Sequence, residues 1–362
     1  MKKKISLQHW GNYHIAMKPL VKLLGYDLIV PPPFTRKTIE IGCKYSPESV
    51  CVPFKYQLGN YIEAIEMGAN ILVQAGGGCR FGYYAEVQEE ILKSLGYKIE
   101  ILKLQNNYGF FAIIKRIKEL NPKINYLHII KAVYIAYRKA TTIEVIEDYV
   151  RKNIGFEREK GQFELVFKKF LADLDGAQTS GQTSKVRKDY LEIFRRIDTD
   201  KPEKPIKVGI VGEVYVVMEP FSNFYLEKIL GKKGVEVHRF VTVSNLIVNA
   251  MKIFRQKEKM RKLAEPYLKY HIGGHGTESV GLAHKLMKDG FDGIIHIKPF
   301  GCIPEINAMP ALYNLSKDYK IPVIYFSFDS LTSETGINTR LDAFYDMLVM
   351  KRKNHEKALL RN

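Results

Sequence analysis

A repeated local pattern limits what this chain can fold into: a short apolar run, a turn of glycine or proline, then a stretch with helical spacing. Ile71 to Val73 leads into Gly76-Gly-Gly-Cys-Arg-Phe-Gly-Tyr-Tyr84, followed by helical spacing from Ala85 to Leu95. Ile206 to Val211 leads into Gly212-Glu213, Gly293 to Ile297 into Lys298-Pro-Phe-Gly-Cys302, and Val323 to Phe328 into Asp329. Short, continuously apolar strands alternating with helices belong to parallel sheets covered on both faces. The expected class is α/β, with two open, mostly parallel, Rossmann-like layers, a helical insertion and a cleft between the layers.

The first block spans residues 1–106. Its expected helices are Ala16 to Leu24, Thr35 to Gly42 (delivering Cys43) and Lys55 to Met67, with further strands at Tyr26 to Val30 and Ile99 to Leu102. Pro31-Pro-Pro33 cannot continue a ladder and gives a stiff exit from its strand. Residues 107–204 change character. Phe110, Ile113, Ile114 and Ile117 recur at helical spacing, and further helical runs fit Ile124 to Arg138, Thr142 to Asn153, Phe163 to Ala172 and Arg187 to Ile197. Ala177 to Ser184 reads as a polar loop or helix connector, and Asp198 to Pro205 as a linker. A second α/β block fills residues 205–362, with helices expected at Ser222 to Leu230, much of Val241 to Leu263, Val280 to Met287 and Thr339 to Met350. Its remaining strand is expected at Val235 to Val237.

Composition narrows the class. At 362 residues, 46% hydrophobic and 26% charged, the chain has the balance of an ordinary globular protein and enough length for sizeable cores. No secretory leader and no apolar run of about 18 residues is visible, so a cytoplasmic protein with no membrane partner is expected. Four cysteines are too few for a disulfide framework. The net charge of +17 is spread over helices where lysine alternates with glutamate, as in Lys257 to Lys262. That is the pattern of a solvated basic surface, with an anionic ligand such as a nucleotide or coenzyme A as the other reading. No nucleic-acid-binding motif appears, and no nucleic-acid partner is expected.

The cysteines are the informative residues. Cys79 and Cys302 each follow an apolar run and adjoin glycine, while Cys51 and Cys302 each precede a proline by two positions. Inert cysteines usually sit on periodic apolar faces. That description suits Cys43 as well as ligation does, and suits the other three less. In open α/β sheets ligands gather beyond the carboxyl ends of strands, where Cys51, Cys79 and Cys302 could share one metal centre. Structural zinc commonly uses local CxxC pairs, which are absent, whereas iron–sulfur clusters accept thiolates far apart in sequence. A cluster is the expected cofactor. Gly77 and Gly78 would offer it amide donors, Arg80 and Lys298 positive charge, and Gly301 a close approach beside Cys302. Cys43, solvent or substrate would fill a fourth position.

The candidates for proton transfer are Glu213 and Asp329, at strand ends with helix capping or solvation as the competing role, and Glu305, whose place in the first turn of a helix favours a Glu anyway. His296 is expected to be buried and hydrogen-bonded within its strand. Gly274-His-Gly-Thr-Glu-Ser279 approximates a nucleotide-binding glycine turn, although a plain helix start explains it as well. No GxxxxGK[ST], HExxH or nucleophile elbow is present.

Several separated motifs, in order, carry a resemblance. They are Cys51-Val-Pro-Phe-Lys55, Gly78-Cys-Arg-Phe-Gly-Tyr-Tyr84, Gly212-Glu213, Phe300-Gly-Cys-Ile-Pro-Glu305, and Asp329 followed by Thr339-Arg340. Together they resemble the 2-hydroxyacyl-CoA dehydratase family, closest to its activase-related, D-component-like branch. The resemblance runs from Cys51 to the closing helix. It implies a 4Fe–4S cluster held by Cys51, Cys79 and Cys302, and an ATP-dependent activase that supplies one low-potential electron. In such dehydratases that electron makes a ketyl radical from a 2-hydroxyacyl-CoA, allowing an unactivated β proton to leave. It implies an acyl-CoA substrate and a two-subunit assembly, while a homodimer is the default for a chain of this size. The alternatives are a non-catalytic iron–sulfur carrier or scaffold, or an anion-binding α/β protein with inert cysteines.

Overall fold

The computed structural model describes residues 3–75, 79–104, 110–250 and 256–359. The chain divides into two compact units. The first is Met1–Glu147, Glu164–Arg196 and Thr242–Gln256; the second is Asp148–Phe163, Ile197–Val241 and Lys257–Asn362.

In chain order the elements begin with β1 (Lys4–Ser6), α1 (His14–Leu24), β2 (Asp27–Ile29), α2 (Arg36–Tyr45), α3 (Val52–Glu66), β3 (Ile71–Ala75), α4 (Tyr84–Ser94) and β4 (Glu100–Leu104). A helical stretch follows: α5 (Phe110–Leu120), α6 (Tyr126–Asn153), α7 (Gln162–Gly176) and α8 (Ser180–Arg195). Then come β5 (Ile206–Gly212), α9 (Val214–Met218), α10 (Leu226–Lys232), β6 (Val235–Arg239), α11 (Val243–Ala250), α12 (Gln256–Ala264), α13 (Gly276–Lys288), β7 (Gly293–Pro299), α14 (Ile303–Tyr319), β8 (Val323–Phe328) and α15 (Glu334–Leu359).

Each unit holds one four-stranded sheet, and every strand pair in both is parallel. The α/β expectation is met. The two sheets share a topology: β2-β1-β3-β4 in the first and β6-β5-β7-β8 in the second. In each, the strand order reverses between the first and third strands in sequence, and such a reversal leaves a crevice beyond their carboxyl ends. Strand β1 has only three residues and no apolar run to announce it, yet it pairs on both sides, with β2 and β3. Tertiary pairing, rather than local propensity, makes it a strand.

Helix boundaries show where side-chain chemistry outweighs the apolar period. The expected break between Arg138 and Thr142 does not occur, and α6 runs unbroken for 28 residues. The Thr141 hydroxyl donates back to the carbonyls of Tyr137 and Arg138, so its polar atom is satisfied inside the helix. The stretch read as a polar loop before Lys185 instead begins α8. Thr179 and Gln182 form a reciprocal capping box there, satisfying helix-start donors with their side chains.

Backbone contact through glycine fixes the elements that carry the cysteines and acids. A Cβ on Gly59 would collide with the Thr38 carbonyl, and one on Gly42 with the Lys55 carbonyl, so α2 and α3 touch backbone to backbone. Helix α3 is buried nearly all round. In the second unit, α13, α14 and the end of β5 share a core that includes Val211, Val280, Leu286, Ile294, Ala308 and Leu312.

Gly212 ends β5 at φ 138°, a conformation that side chains rarely adopt, and any Cβ there would strike the Ile297 carbonyl of β7. Gly212→Ala is expected to destabilise the protein by about 2–4 kcal/mol, combining backbone strain with a steric clash. Urea unfolding measures it; a variant within about 0.5 kcal/mol of wild type, the range of neutral surface changes, would contradict this packing.

Candidate functional site

In the first unit, the site begins at the N-terminus of α3. Cys51 is its N-cap, with extended backbone and no side-chain capping bond. Its side chain satisfies none of the helix-start amides, so capping does not explain its presence. The Cys51 Sγ lies 2.6 Å from the Tyr84 hydroxyl, and the Tyr84 ring packs against Phe54 and Phe81. Burial pushes the Tyr84 phenol above its usual range. The neighbouring Cys51, by charge and hydrogen bond, and the charge of Cys79 push it further in the same direction. One hydroxyl therefore senses both thiols.

Cys79 lies beyond β3 and is exposed. It occupies the N-cap position of the 3-10 turn Arg80–Tyr83, again with extended backbone and no side-chain cap. Arg80 opens that turn, also exposed. Gly77 and Gly78 lie outside the described residues. Cys43 is placed differently, in the last turn of α2. Cys43 thus stands at the carbonyl end of its helix, whereas Cys51 and Cys79 stand at the amide ends of their helical segments.

In the second unit, the polar groups gather where β5 and β7 end. Gly212 turns the chain so that Glu213 caps α9, its carboxylate accepting the amides of Tyr215 at 3.1 Å and Val216 at 3.0 Å. Capping and the acid role read for Glu213 thus occupy the same side chain. Burial raises Glu213 from 4.5 to about 7; the two amides oppose the shift and the charge of Glu305 adds to it. A carboxyl exchanging its proton near neutrality suits general acid–base work.

Strand β7 continues past the expected end to include Lys298, whose ammonium is buried. Burial lowers its pKa, while the charges of Cys302 and Glu305 oppose the shift. Gly301, at φ 75°, reverses the chain into α14, and Cys302 is that helix's N-cap, with no side-chain capping bond. Cys302 thus repeats the arrangement of Cys79, beyond the third strand of its own sheet.

Glu305, in the first turn of α14, is 1% exposed and His296 of β7 is 0% exposed. They share a 2.8 Å hydrogen bond between Nε2 and Oε2, and the Ser279 hydroxyl donates to the other Glu305 oxygen at 3.2 Å. His296 is buried and bonded as its strand position predicts, but its partner is separated by nine residues and a turn. In the sequence Ser279 reads only as the end of a glycine turn, and its bond to Glu305 is not legible there, because α13 starts earlier than its apolar spacing indicates. Asp329 stands apart in an exposed turn after β8, accepting from the Leu331 amide and the Thr332 hydroxyl. Among the described residues, no group of three or more His, Cys, Asp or Glu is gathered as a metal site, and no helix is long and apolar enough to cross a membrane.

Because the folded-state pKa of Glu213 is raised, its stabilising contribution is whole below about pH 4.5 and is lost as pH rises through about 7. Wild type is therefore expected to lose stability relative to Glu213→Gln between pH 5 and pH 8. Urea unfolding of both proteins across that range measures the difference. A pH-independent difference would show that ionising Glu213 carries no penalty.

A scan against protein-family models and a search of curated proteins each find no match to this chain.

Proposed function

We propose that this chain is an iron–sulfur redox protein related to the 2-hydroxyacyl-CoA dehydratases, taking low-potential electrons from an ATP-dependent activase. The supporting observation is the common placement of three cysteines. Cys51, Cys79 and Cys302 each occupy the N-cap of a helical segment without a side-chain capping bond, and Cys43 does not. Amide groups and the helix dipole at such positions favour the thiolate, the form that ligates metal. The donor set therefore fits a cluster. A 4Fe–4S cluster bound by these thiolates supplies one-electron chemistry, with Cys43, solvent or substrate in the fourth position.

The chain's own groups fill the remaining roles. Lys298, buried beside Cys302, places a positive charge next to a ligand thiolate. Glu213 holds a proton near neutral pH and can give it up or receive it at its carboxylate. Glu305, held by Ser279 and His296, is a second carboxyl fixed in orientation. These are the groups that reductive or radical dehydration of a small substrate requires, and the resemblance favours a CoA thioester. Gly77, Gly78, Arg80 and Gly301 retain their proposed roles around the cluster.

Anaerobic reconstitution with iron and sulfide is expected to give a brown protein with about four irons per chain. Cys51→Ala, Cys79→Ala and Cys302→Ala are each expected to lose most of that iron. A colourless wild-type protein, or iron retained in all three variants, would leave an α/β protein with inert cysteines. Turnover with an activase, ATP and acyl-CoA thioesters then separates an enzyme from a cluster carrier.

A further inference from the structure

The redox proposal gives no task to Tyr84, the first residue of α4. Tyr84 is 6% exposed, and burying a hydroxyl is costly unless the oxygen finds a hydrogen-bond partner. Phenylalanine would fill the same space without that cost, so packing alone does not explain a tyrosine here. The hydroxyl's partner is the Cys51 Sγ, at 2.6 Å.

The surroundings hold the hydroxyl to that direction. Phe54, in the first turn of α3 behind Cys51, meets the Tyr84 ring edge-on with centroids 4.8 Å apart. Phe81, in the turn behind Cys79, packs against the same ring at 5.2 Å. Both phenylalanines are buried. One turn along α4, the Gln88 side-chain amide donates to the Phe54 carbonyl at 3.5 Å and ties α4 to the head of α3. The ring is thus gripped by one aromatic from each of two cysteine-headed segments. Swinging it away from Cys51 means displacing a buried neighbour.

We propose that Tyr84 is a positioning residue for electron uptake: its hydroxyl donates a hydrogen bond to the Cys51 thiolate and so raises the reduction potential of the bound cluster. The use of this bond rests on the function proposed above; the bond itself does not. A ligating thiolate carries no proton, so the hydroxyl is the donor of the pair. Reduction spreads negative charge onto the ligand sulfurs, and a charge-assisted hydrogen bond strengthens with the charge on its acceptor. One electron arrives from the activase, no covalent bond forms or breaks, and the phenol keeps its proton. Because the donor is fixed beforehand, the protein needs no reorganisation at that moment.

Tyr84→Phe removes the hydroxyl and keeps the ring, and two measurements on it test the proposal. In the iron-free chain, alkylation of Cys51 by iodoacetamide is followed by mass spectrometry, with Cys43 as internal reference. A donor that stabilises the thiolate raises the thiolate fraction. Tyr84→Phe is therefore expected to move the Cys51 profile to higher pH and to slow its alkylation at pH 7 about threefold. An unmoved profile overturns the hydrogen bond, whether or not the protein binds iron. In the reconstituted chain, a redox titration followed by electron paramagnetic resonance is expected to place Tyr84→Phe at a more negative potential than wild type, with equal iron content. Equal potentials, or iron lost from Tyr84→Phe alone, overturn the role of Tyr84 and leave the redox reading standing. A wild-type chain without iron defeats the redox reading and this use of Tyr84 together, and the alkylation profile then decides the bond by itself.

Discussion

The pairing of β5 with β7 is the constraint on which the second unit's chemistry depends. With Gly212 in register with Ile297, β5 ends while β7 runs on through Lys298 to Pro299, and the Glu213 amide bonds the Ile297 carbonyl at 3.0 Å. That contact fixes Glu213 at one strand end while Lys298 and the turn to Cys302 follow from the other. A side chain at position 212 would separate the strands and displace the acid from the base-and-thiol cluster. The glycine is therefore part of the site, although it has no reactive atom.

Helix starts then add electrostatics to that geometry. Cys302 and Glu305 lie in the opening turn of α14, Glu278 and Ser279 in that of α13, and Glu213 caps α9. At an opening turn the backbone presents unpaired amide donors, so anionic side chains are stabilised there. Burial acts in the other direction on Glu213, and there burial prevails. The protein thus holds the Glu213 carboxyl close to the point where a small change in surroundings moves a proton.

Much of this architecture was legible in the sequence because parallel strands buried on both faces must be apolar throughout. Ile71 to Val73, Ile206 to Val211, Gly293 to Ile297 and Val323 to Phe328 all announced themselves that way. Lys4–Ser6 did not, since three residues carry no period and only the neighbouring strands make them a strand. The cysteines and the acids at strand ends were legible from their glycine and proline neighbours. The Glu305–His296 bond and the Ser279 contact were not, because each depends on how one helix start meets another element in space. No local spacing encodes that meeting. The α6 and α8 boundaries were missed for a related reason: Thr141, Thr179 and Gln182 act through side-chain hydrogen bonds that an apolar period does not register.

The crossing of α2 and α3 has a mechanical consequence. With Gly42 against the Lys55 carbonyl and Gly59 against the Thr38 carbonyl, no side-chain layer separates these helices to absorb a displacement. Interlocked main chains cannot slide past one another by rotamer adjustment. The pair is a stiff girder, and any tug on the sulfur at the head of α3 is borne by the whole assembly of two helices instead of bending one end.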